Sequence, residues 1–303
     1  MGQSGLKVSA VGLGCNNFGW SISPEASKPV VHKALDLGVT LFDTADIYGD
    51  PPGRAEEVLG PLLKGKRQDI VLTTKFGYDF GGGPPNNSRA FIMSALEGSL
   101  KRLGTDFVDI YMVHIPDLTT PIEETLRTLD DIVASGRARH IAVSNMDAWR
   151  VVDALWVAKE LGTKSFICSQ NEYSLLERSP EADLIPALLH YGLTLNPYFP
   201  LASGMLTGKY ISGATGRLKD NFLGLGGKFL TERNHAIVQK LSDYAQSRGR
   251  TITELALSWL VRQPVVAGVI AGATRPEQVE QNVKAATWKL TAEELAEINA
   301  IAA

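Results

Sequence analysis

Residues 40–49 of the chain read TLFDTADIYG. The first half of this stretch, Thr40–Thr44, is a short apolar run, and runs with little polar–apolar alternation are typical of strands buried on both faces of a parallel sheet. Seven further runs of this kind occur along the chain. We interpret them as strands over Val8–Gly14, Ile70–Lys75, Phe107–His114, His140–Ser144, Ser165–Gln170, Thr194–Tyr198 and Val266–Ala271.

Stretches with the apolar spacing of a helix separate these strands, and many of them are followed by a glycine, which favours the left-handed conformation at a helix C-terminus. The clearest starts are Thr120-Pro121, a cap residue followed by proline, and Thr291-Ala-Glu-Glu, which has the pattern of a capping box. We predict helices over Lys28–Leu37, Ala55–Lys64, Ser88–Leu103, Thr120 to about Ser135, Asp147–Leu161, Asp183–Tyr191, Asn234–Arg248, Thr251–Arg262 and Pro276–Thr287, and a last helix from Thr291.

The order of strand and helix repeats about eight times, and a terminal helix follows the last repeat. That pattern favours a closed (β/α)8 TIM barrel with a parallel sheet over an open doubly wound sheet. No linker separates two halves, so we expect a single domain over residues 1–303. Two glycine-rich loops, Phe80–Asn87 and Tyr210–Leu230, are long enough to be mobile or functional, and we expect them to cover a cleft.

The chain has 303 residues, of which 44% are hydrophobic and 21% are charged, and its formal net charge is −3. This composition is too apolar for a disordered chain, and it gives no basic surface for nucleic acid. No apolar run approaches the roughly 18 residues of a membrane span, and the start MGQSGLKVSA lacks the layout of a signal peptide. We therefore expect a cytoplasmic protein with neither nucleic-acid nor membrane partners, and the sequence leaves its oligomeric state open.

The two cysteines, Cys15 and Cys168, belong to no CxxC pair or Cys/His cluster, so we expect no metal site. We expect both thiols to be buried and reduced, although a disulfide between them stays open at this point. Gly12, Gly14 and Gly19 do not have the spacing of the dinucleotide-binding fingerprint. The chain also lacks a Walker A motif and a G-x-S-x-G nucleophile elbow.

Four residues at the ends of neighbouring predicted strands are of the types that carbonyl reduction uses. Asp43 and Tyr48 follow the second strand, Lys75 ends the third, and His114 ends the fourth. In a barrel such residues gather at the carboxyl end of the strands. Hydride addition builds negative charge on a carbonyl oxygen, which needs a proton donor such as a phenol.

A nearby ammonium lowers the pKa of a tyrosine, so Lys75 is expected to lower the pKa of Tyr48. Asp43 is expected to compensate the positive charge of Lys75. His114 is placed to orient the carbonyl oxygen through a hydrogen bond. Each residue alone also has an ordinary structural interpretation, as a helix cap, a solvated charge or a structural histidine. Lys75 alone is also compatible with Schiff-base chemistry.

Seven separated motifs resemble those of the aldo-keto reductase superfamily, including its potassium-channel β-subunits: FDTADIYG, TTKFG, YMVHIPD, IAVSN, SQNEYS, PYFPLASGMLTGKY and IAGATRPEQVEQN. They cover nearly the whole chain in the family's order. The resemblance implies a barrel that binds a nicotinamide cofactor without a Rossmann fold. It also implies a catalytic tetrad in which Tyr48 donates the proton and His114 orients the substrate. In this tetrad Lys75 and Asp43 adjust the pKa of Tyr48.

The resemblance further implies which residues hold the cofactor. The carboxamide would be bound by Ser144, Asn145 and Gln170, and the nicotinamide ring would stack on Tyr198. The loop around the pyrophosphate would be formed by Leu201, Ser203, Gly204, Leu206 and Lys209. The clamp for a 2′-phosphate would consist of Gly272, Ala273, Thr274 and Arg275, with an adenine site beside it at Gln278, Gln281 and Asn282.

The clamp also has a local physical basis, because a helix that begins at Pro276 presents free N–H groups and Arg275 adds a permanent charge. We therefore expect an NADP(H)-dependent oxidoreductase that interconverts small aldehydes or ketones with alcohols, with Tyr48 as general acid and base. The alternative is a regulatory NADPH-binding subunit similar to the channel β-subunits. The substrate stays open, and four aromatic residues either line its cleft or pack in the core: Phe18, Trp20, Tyr78 and Phe80.

Overall fold

The computed structural model describes residues 1–211, 218–219 and 224–303. Its strands are β1 Val11–Gly14, β2 Leu41–Asp43, β3 Val71–Phe76, β4 Val108–Val113, β5 Ala138–Ser144, β6 Phe166–Gln170, β7 Thr194–Leu195 and β8 Val269–Gly272. They form one eight-stranded sheet in the order β7-β6-β5-β4-β3-β2-β1-β8. Every neighbouring pair in this order is parallel.

The two ends of the sheet meet through hydrogen bonds beyond the regular strands. The Leu195 N–H donates to the Val265 carbonyl at 2.8 Å, and the Ile270 N–H donates to the Pro197 carbonyl at 2.9 Å. These bonds link the β7 side of the sheet to β8, which itself pairs with β1. The predicted fold, a single-domain (β/α)8 barrel with a parallel sheet, is confirmed.

Helices surround the sheet and supply most of the outer core. They are α1 Pro24–Asp36, α2 Arg54–Leu62, α3 Arg89–Leu103, α4 Ile122–Ala134, α5 Ala148–Leu161, α6 Leu184–Tyr191, α7 Leu225–Phe229, α8 Glu232–Gln246, α9 Ile252–Val261, α10 Pro276–Ala285 and α11 Ala292–Ile301. Of the helices in the described ranges, none has the length and apolar character that crossing a membrane requires. The predicted capping box is present at Thr291, where α11 begins.

Three predicted helix starts were wrong by two residues or more. Helix α8 begins at Glu232 rather than Asn234, because the Thr231 side chain caps it by accepting a hydrogen bond from Asn234 N. Helix α1 begins at Pro24 rather than Lys28, because the Ser23 side chain caps it by accepting a hydrogen bond from Ala26 N. Thr120 does not cap α4, which begins at Ile122 after Pro121. The Thr120 hydroxyl instead donates to the Asp117 carboxylate at 2.5 Å.

The predicted seventh strand, Thr194–Tyr198, is also too long. The regular strand ends at Leu195, since Pro197 has no N–H to give to a ladder. The predicted loop Tyr210–Leu230 contains the short helix α7 near its end. Most of its middle lies outside the described residues.

A small apolar cluster fills the inside of the barrel, and a much larger one lies between the strands and the helices. The inner cluster consists of Leu41, Val71, Ile110, Met112, Ala142, Cys168 and Ile270. Both cysteines are buried, and neither forms a disulfide. The sequence-based expectation of two buried thiols is thus confirmed.

Two carboxyl groups are buried together behind β2 and β3. Glu56 on α2 accepts hydrogen bonds from the Thr74 hydroxyl and from Arg102 Nε, the latter at 2.7 Å. Asp46 is 1% exposed, and neither of its oxygens has a side-chain hydrogen-bond partner among the described residues. Burial, with a further contribution from the charge of Glu56, raises the pKa of Asp46 to about 8. The folded protein therefore holds Asp46 in its protonated form near neutral pH.

This raised pKa predicts a loss of stability with rising pH. In the unfolded chain the Asp46 carboxyl is ionised above about pH 4, whereas in the folded protein it stays protonated up to its raised pKa. Between these two pH values folding takes up a proton, so the free energy of unfolding falls as the pH rises. We expect Asp46→Asn to raise the free energy of unfolding by roughly 2–4 kcal/mol near pH 8, and by less at acidic pH. Urea denaturation across this pH range measures the effect.

The matched control is Asp153→Asn, which changes an exposed carboxylate on α5. It should leave the pH dependence of stability as it is in the unmodified protein. If the Asp46→Asn protein loses stability with rising pH as steeply as the unmodified protein does, Asp46 is ionised in the fold and our assignment of its protonation state is wrong.

Candidate active site

The residues predicted to carry the chemistry meet at the carboxyl end of the barrel. Asp43 is the last residue of β2, Lys75 lies near the end of β3, and His114 directly follows β4. Tyr48 lies in the loop after β2, in a turn closed by a hydrogen bond from its own N–H to the Ala45 carbonyl at 3.1 Å. The parallel sheet thus brings residues far apart in the chain to one edge.

Lys75 is the hub of this group, and its side chain is fully buried. Its ammonium donates to Asp43 Oδ2 at 2.7 Å, to the Thr44 carbonyl at 2.8 Å and to the Tyr48 hydroxyl at 3.3 Å. The other oxygen of Asp43 accepts a hydrogen bond from Gln170 Nε2 at 2.9 Å. Burial disfavours the ammonium, but Asp43 and Tyr48 hold the pKa of Lys75 above its ordinary value. Lys75 therefore carries its charge at neutral pH.

The pKa of Tyr48 lies above its ordinary value, which is opposite to the sequence-based expectation. Burial raises this pKa more than the neighbouring Lys75 lowers it, and Asp43 adds to the rise. The predicted proximity is nevertheless present, since the Lys75 ammonium also lies 4.7 Å from the centre of the Tyr48 ring. Tyr48 is therefore a protonated phenol at neutral pH, with a cation in place to stabilise the phenolate once the proton leaves.

His114 stands beside this pair as a neutral ring. It is 9% exposed, and its ring lies 5.5 Å from that of Tyr48 at an angle of 86°. Burial, assisted by the charge of Lys75, holds the pKa of His114 well below its ordinary value. A neutral imidazole has one N–H to donate, which suits it to hydrogen-bond an oxygen in the site.

Three side chains with amide or hydroxyl groups lie next to these four residues. The Ser144 hydroxyl donates to the Gln170 carbonyl at 2.8 Å, and the Asn145 amide donates to the His114 carbonyl at 2.9 Å. The Tyr198 hydroxyl in turn donates to Asn145 Oδ1 at 2.9 Å. Asn145 has a left-handed backbone conformation, with φ of 57°. The residues predicted to bind a carboxamide and to stack on a nicotinamide ring thus form one connected group.

A cavity of about 580 Å³ opens above these residues. Among its lining are Asp43, Tyr48, His114, Ser144, Asn145, Gln170, Tyr198 and Gly272, all of which the sequence analysis singled out. The sequence analysis missed further lining residues at Gly14, Asn16, Ile47, Gly49, Pro200 and Ile270. Most of these also follow or end strands, so extending the strand-end rule to β1, β7 and β8 would have found them.

Of the four aromatic residues that the sequence placed either in the cleft or in the core, two line the cavity and two do not. Trp20 and Tyr78 line the cavity, and Trp20 is 51% exposed. Phe18 is fully buried in the core, while Phe80 is half exposed and does not line the cavity. Phe199, beside Tyr198, adds a third aromatic side chain to the lining. The mouth of the cavity is therefore largely apolar.

The segment predicted to wrap a pyrophosphate forms 3-10 turns over Ala202–Thr207, after Leu201, and these turns are interrupted by a kink. Ser203 and Gly204 have left-handed conformations, with φ of 54° and 96°. The Ser203 hydroxyl is buried and has no hydrogen-bond partner within the described ranges, and a Cβ at Gly204 would lie 3.2 Å from Lys209 Nζ. Leu206 is fully buried in the core, so only its backbone is available to a ligand.

The predicted phosphate clamp lies where β8 leads into α10. Arg275 is exposed and has no ion pair within the part of the chain that the structure describes. The N–H groups of Thr274 and Arg275 are not free, because both donate to Gln278 Oε1, at 2.7 and 3.2 Å. This corrects the expectation of open N–H groups at the start of this helix. Of the other residues predicted here, Gln281 is exposed, whereas Ala273 and Asn282 are buried.

The described part of the chain contains no cluster of side chains suited to bind a metal ion. Within residues 1–211, 218–219 and 224–303, no group of three or more histidine, cysteine, aspartate or glutamate residues could hold a metal ion. The titratable groups at the mouth of the barrel instead form the hydrogen-bonded arrangement described above.

The sequence matches the model of the aldo/keto reductase family over residues 10–303. It is 38% identical to L-glyceraldehyde 3-phosphate reductase of Escherichia coli strain K12, over 98% of this chain and 90% of that protein. It is 37% identical to a probable voltage-gated potassium channel subunit beta of Oryza sativa, over 94% of this chain and 89% of that protein. It is 33% identical to versiconal hemiacetal acetate reductase of Aspergillus parasiticus, over 97% and 94% of the two chains. The chain belongs to the aldo/keto reductase family.

Proposed function

We propose that the chain is an NADP(H)-dependent oxidoreductase that interconverts aldehydes or ketones with alcohols. Its family and its reductase relatives support oxidoreductase activity. The observation that carries the proposal is the continuous hydrogen-bonded set Asp43–Lys75–Tyr48 beside the neutral ring of His114. A phenol with a buried cation behind it and an open cavity in front of it is arranged to give a proton to a carbonyl oxygen and to take it back.

When bound, the nicotinamide cofactor supplies or accepts the hydride. In reduction, the Tyr48 hydroxyl gives its proton to the oxygen that becomes the alcohol, and the Lys75 ammonium stabilises the phenolate that remains. Asp43 keeps Lys75 charged and in place. His114 donates its single N–H to the same oxygen and fixes its direction. In oxidation the Tyr48 phenolate takes the proton from the alcohol, so one residue serves both directions.

The residues at the mouth of the barrel fit a nicotinamide cofactor. Ser144, Asn145 and Gln170 would hold its carboxamide, and the Tyr198 ring, which lines the cavity, offers a stacking surface. The Ser203 hydroxyl, buried and unpartnered among the described residues, is the kind of polar group that can donate a hydrogen bond to a pyrophosphate oxygen. The remaining contacts of the phosphate loop are assigned to Leu201, Gly204, Leu206 and Lys209.

A preference for NADP(H) over NAD(H) is supported by Arg275, an exposed guanidinium at the start of α10. A helix start and an arginine together favour a doubly charged phosphate. Gly272, Ala273 and Thr274 would form the rest of this clamp, and Gln278, Gln281 and Asn282 would border the adenine. Because Gln278 now accepts hydrogen bonds from Thr274 and Arg275, its amide has to turn away when a phosphate takes those N–H groups.

The lining of the cavity supports an uncharged substrate with an apolar or aromatic end. Trp20, Tyr78 and Phe199 are aromatic, Ile47 and Pro200 are aliphatic, and no lysine or arginine of the described ranges lines the cavity. The E. coli relative is named for a phosphorylated aldehyde, and a lysine or arginine is a common partner of a phosphate. We propose that this chain acts on small carbonyl compounds of the apolar kind.

A substrate panel tests this preference and the main alternative. Benzaldehyde is expected to give a higher kcat/KM than glyceraldehyde 3-phosphate, and Trp20→Ala should raise KM for benzaldehyde several-fold by removing apolar contact. The reverse order of the two substrates would show that a cation outside the described lining binds the phosphate. NADPH binding without turnover of any carbonyl would instead favour a regulatory subunit like the channel β-subunits.

Replacing Tyr48 by phenylalanine tests the proton donor. The ring is kept and only the hydroxyl is lost, so kcat for aldehyde reduction should fall by at least about 100-fold. NADPH affinity, measured by quenching of tryptophan fluorescence, should stay near its original value. Tyr244→Phe is the matched control, since it removes an exposed phenol hydroxyl on α8. Turnover within a few-fold of the unmodified protein would remove Tyr48 from its proposed role.

Replacing Arg275 by alanine tests the cofactor preference. The loss of a charged contact to phosphate should weaken NADPH binding by roughly 10- to 100-fold and leave NADH binding almost unchanged. Arg262→Ala is the matched control, because it removes an exposed arginine at the C-terminal end of α9. An equal loss of affinity for both cofactors would mean that the clamp is assigned to the wrong residue.

A further inference from the structure

His114 is held between two phenol rings, of which the proposed mechanism uses only one. The Tyr48 ring lies 5.5 Å from the imidazole at 86°, and the Tyr78 ring lies 4.9 Å from it at 89°. Both rings thus stand at right angles to the imidazole. Tyr78 is therefore the nearer of the two neighbours, and the proposed function gives it only a place in the cavity wall.

The backbone before Tyr78 is shaped to bring it there. Strand β3 ends at Phe76, and Gly77 follows with φ of 126°, a conformation that side chains rarely adopt. A Cβ at Gly77 would lie 3.1 Å from the carbonyl oxygen of Ile115, the residue after His114. Gly77 therefore lets the loop after β3 pass directly against the loop after β4, which places the Tyr78 ring beside the imidazole.

Among the residues that the structure describes, His114 has no anionic partner that would hold it protonated. Its Nδ1 is buried and has no hydrogen-bond partner in the same part of the chain. The charged or titratable groups that face it are Lys75 from β3, Tyr48 from the loop after β2 and Tyr78 from the loop after β3. From the loop after β5, the uncharged Asn145 amide binds its carbonyl. Burial, with help from the ammonium, depresses the pKa of the imidazole, so the groups that bury it decide its charge.

We propose that Tyr78 is a positioning residue for His114: its ring fixes the plane of the imidazole and keeps water from Nδ1, so that a neutral ring offers Nε2–H to the substrate. The inference rests on the proposed role of His114 in orienting the carbonyl. The ring carries this effect, since the Tyr78 hydroxyl has no hydrogen-bond partner among the residues that the structure describes. Phenylalanine should therefore replace tyrosine here, whereas a small side chain should not.

The experiment follows the ring proton signals of the histidines by NMR while the pH is varied, using the full chain, with the His114 signal assigned by its loss in His114→Gln. In the unmodified protein and in Tyr78→Phe, burial should keep the pKa of His114 well below its ordinary value. In Tyr78→Ala, water reaches Nδ1, and the imidazole should titrate closer to the ordinary value of about 6.5. Phe80→Ala, an exposed aromatic residue of the same loop outside the cavity lining, should behave as the unmodified protein.

A kinetic readout accompanies this titration. The pH profile of kcat/KM for benzaldehyde should gain a new inflection in Tyr78→Ala, and Tyr78→Phe should restore the original shape. If Tyr78→Ala does not fold, Tyr78→Leu removes the ring and is expected to shift the His114 titration upward by a smaller amount. A His114 signal that titrates identically in all folded variants overturns the proposal, and so does a new titration in Tyr78→Phe. Because the NMR measurement needs no turnover, it separates failure of this inference from failure of the proposed function.

Discussion

The arrangement at the mouth of the barrel depends on the burial of one ammonium group. A charge taken fully out of water costs several kcal/mol unless partners compensate it, and Lys75 has a carboxylate, a carbonyl and a phenol within hydrogen-bond reach. The carboxylate is itself anchored by Gln170, which arrives from β6 on another side of the ring. The same contacts that make Lys75 tolerable in the interior fix the direction of Asp43 and the location of the Tyr48 hydroxyl.

The charge carried by these four residues is confined to one ion pair, Lys75 with Asp43. Near neutral pH the phenol is protonated, the imidazole is neutral, and the ammonium is balanced by its carboxylate. In the reaction we propose, the proton that moves is therefore the one on Tyr48, and the Lys75 ammonium that would stabilise the phenolate already lies beside it. Behind the strands, Asp46 is kept uncharged by the neighbouring Glu56 and by burial, so it adds no negative charge beside Lys75.

Much of this site could be predicted from the sequence, because one rule places its parts: residues at the ends of parallel strands gather at one edge. Asp43, Lys75 and His114 follow from that rule alone, and the family resemblance adds Tyr198. The sign of the Tyr48 pKa shift could not be predicted, since it depends on how much water burial removes. Nor could the occupation of the α10 N–H groups by Gln278, which depends on a side-chain rotamer. Thr120 shows the same limit, because a nearby carboxylate in the fold competes for its hydroxyl.

The amide of Gln278 gives the start of α10 an internal competitor. It is tethered three residues from Arg275, so its effective concentration at the Thr274 and Arg275 N–H groups is high whatever the solution contains. A neutral acceptor that replaced the Gln278 oxygen would only exchange one hydrogen bond for another, so its binding free energy would be small. An anion with two charges would also be attracted by the helix dipole and by the Arg275 guanidinium. In the proposed phosphate clamp, Gln278 would therefore favour a doubly charged anion over a small neutral solute.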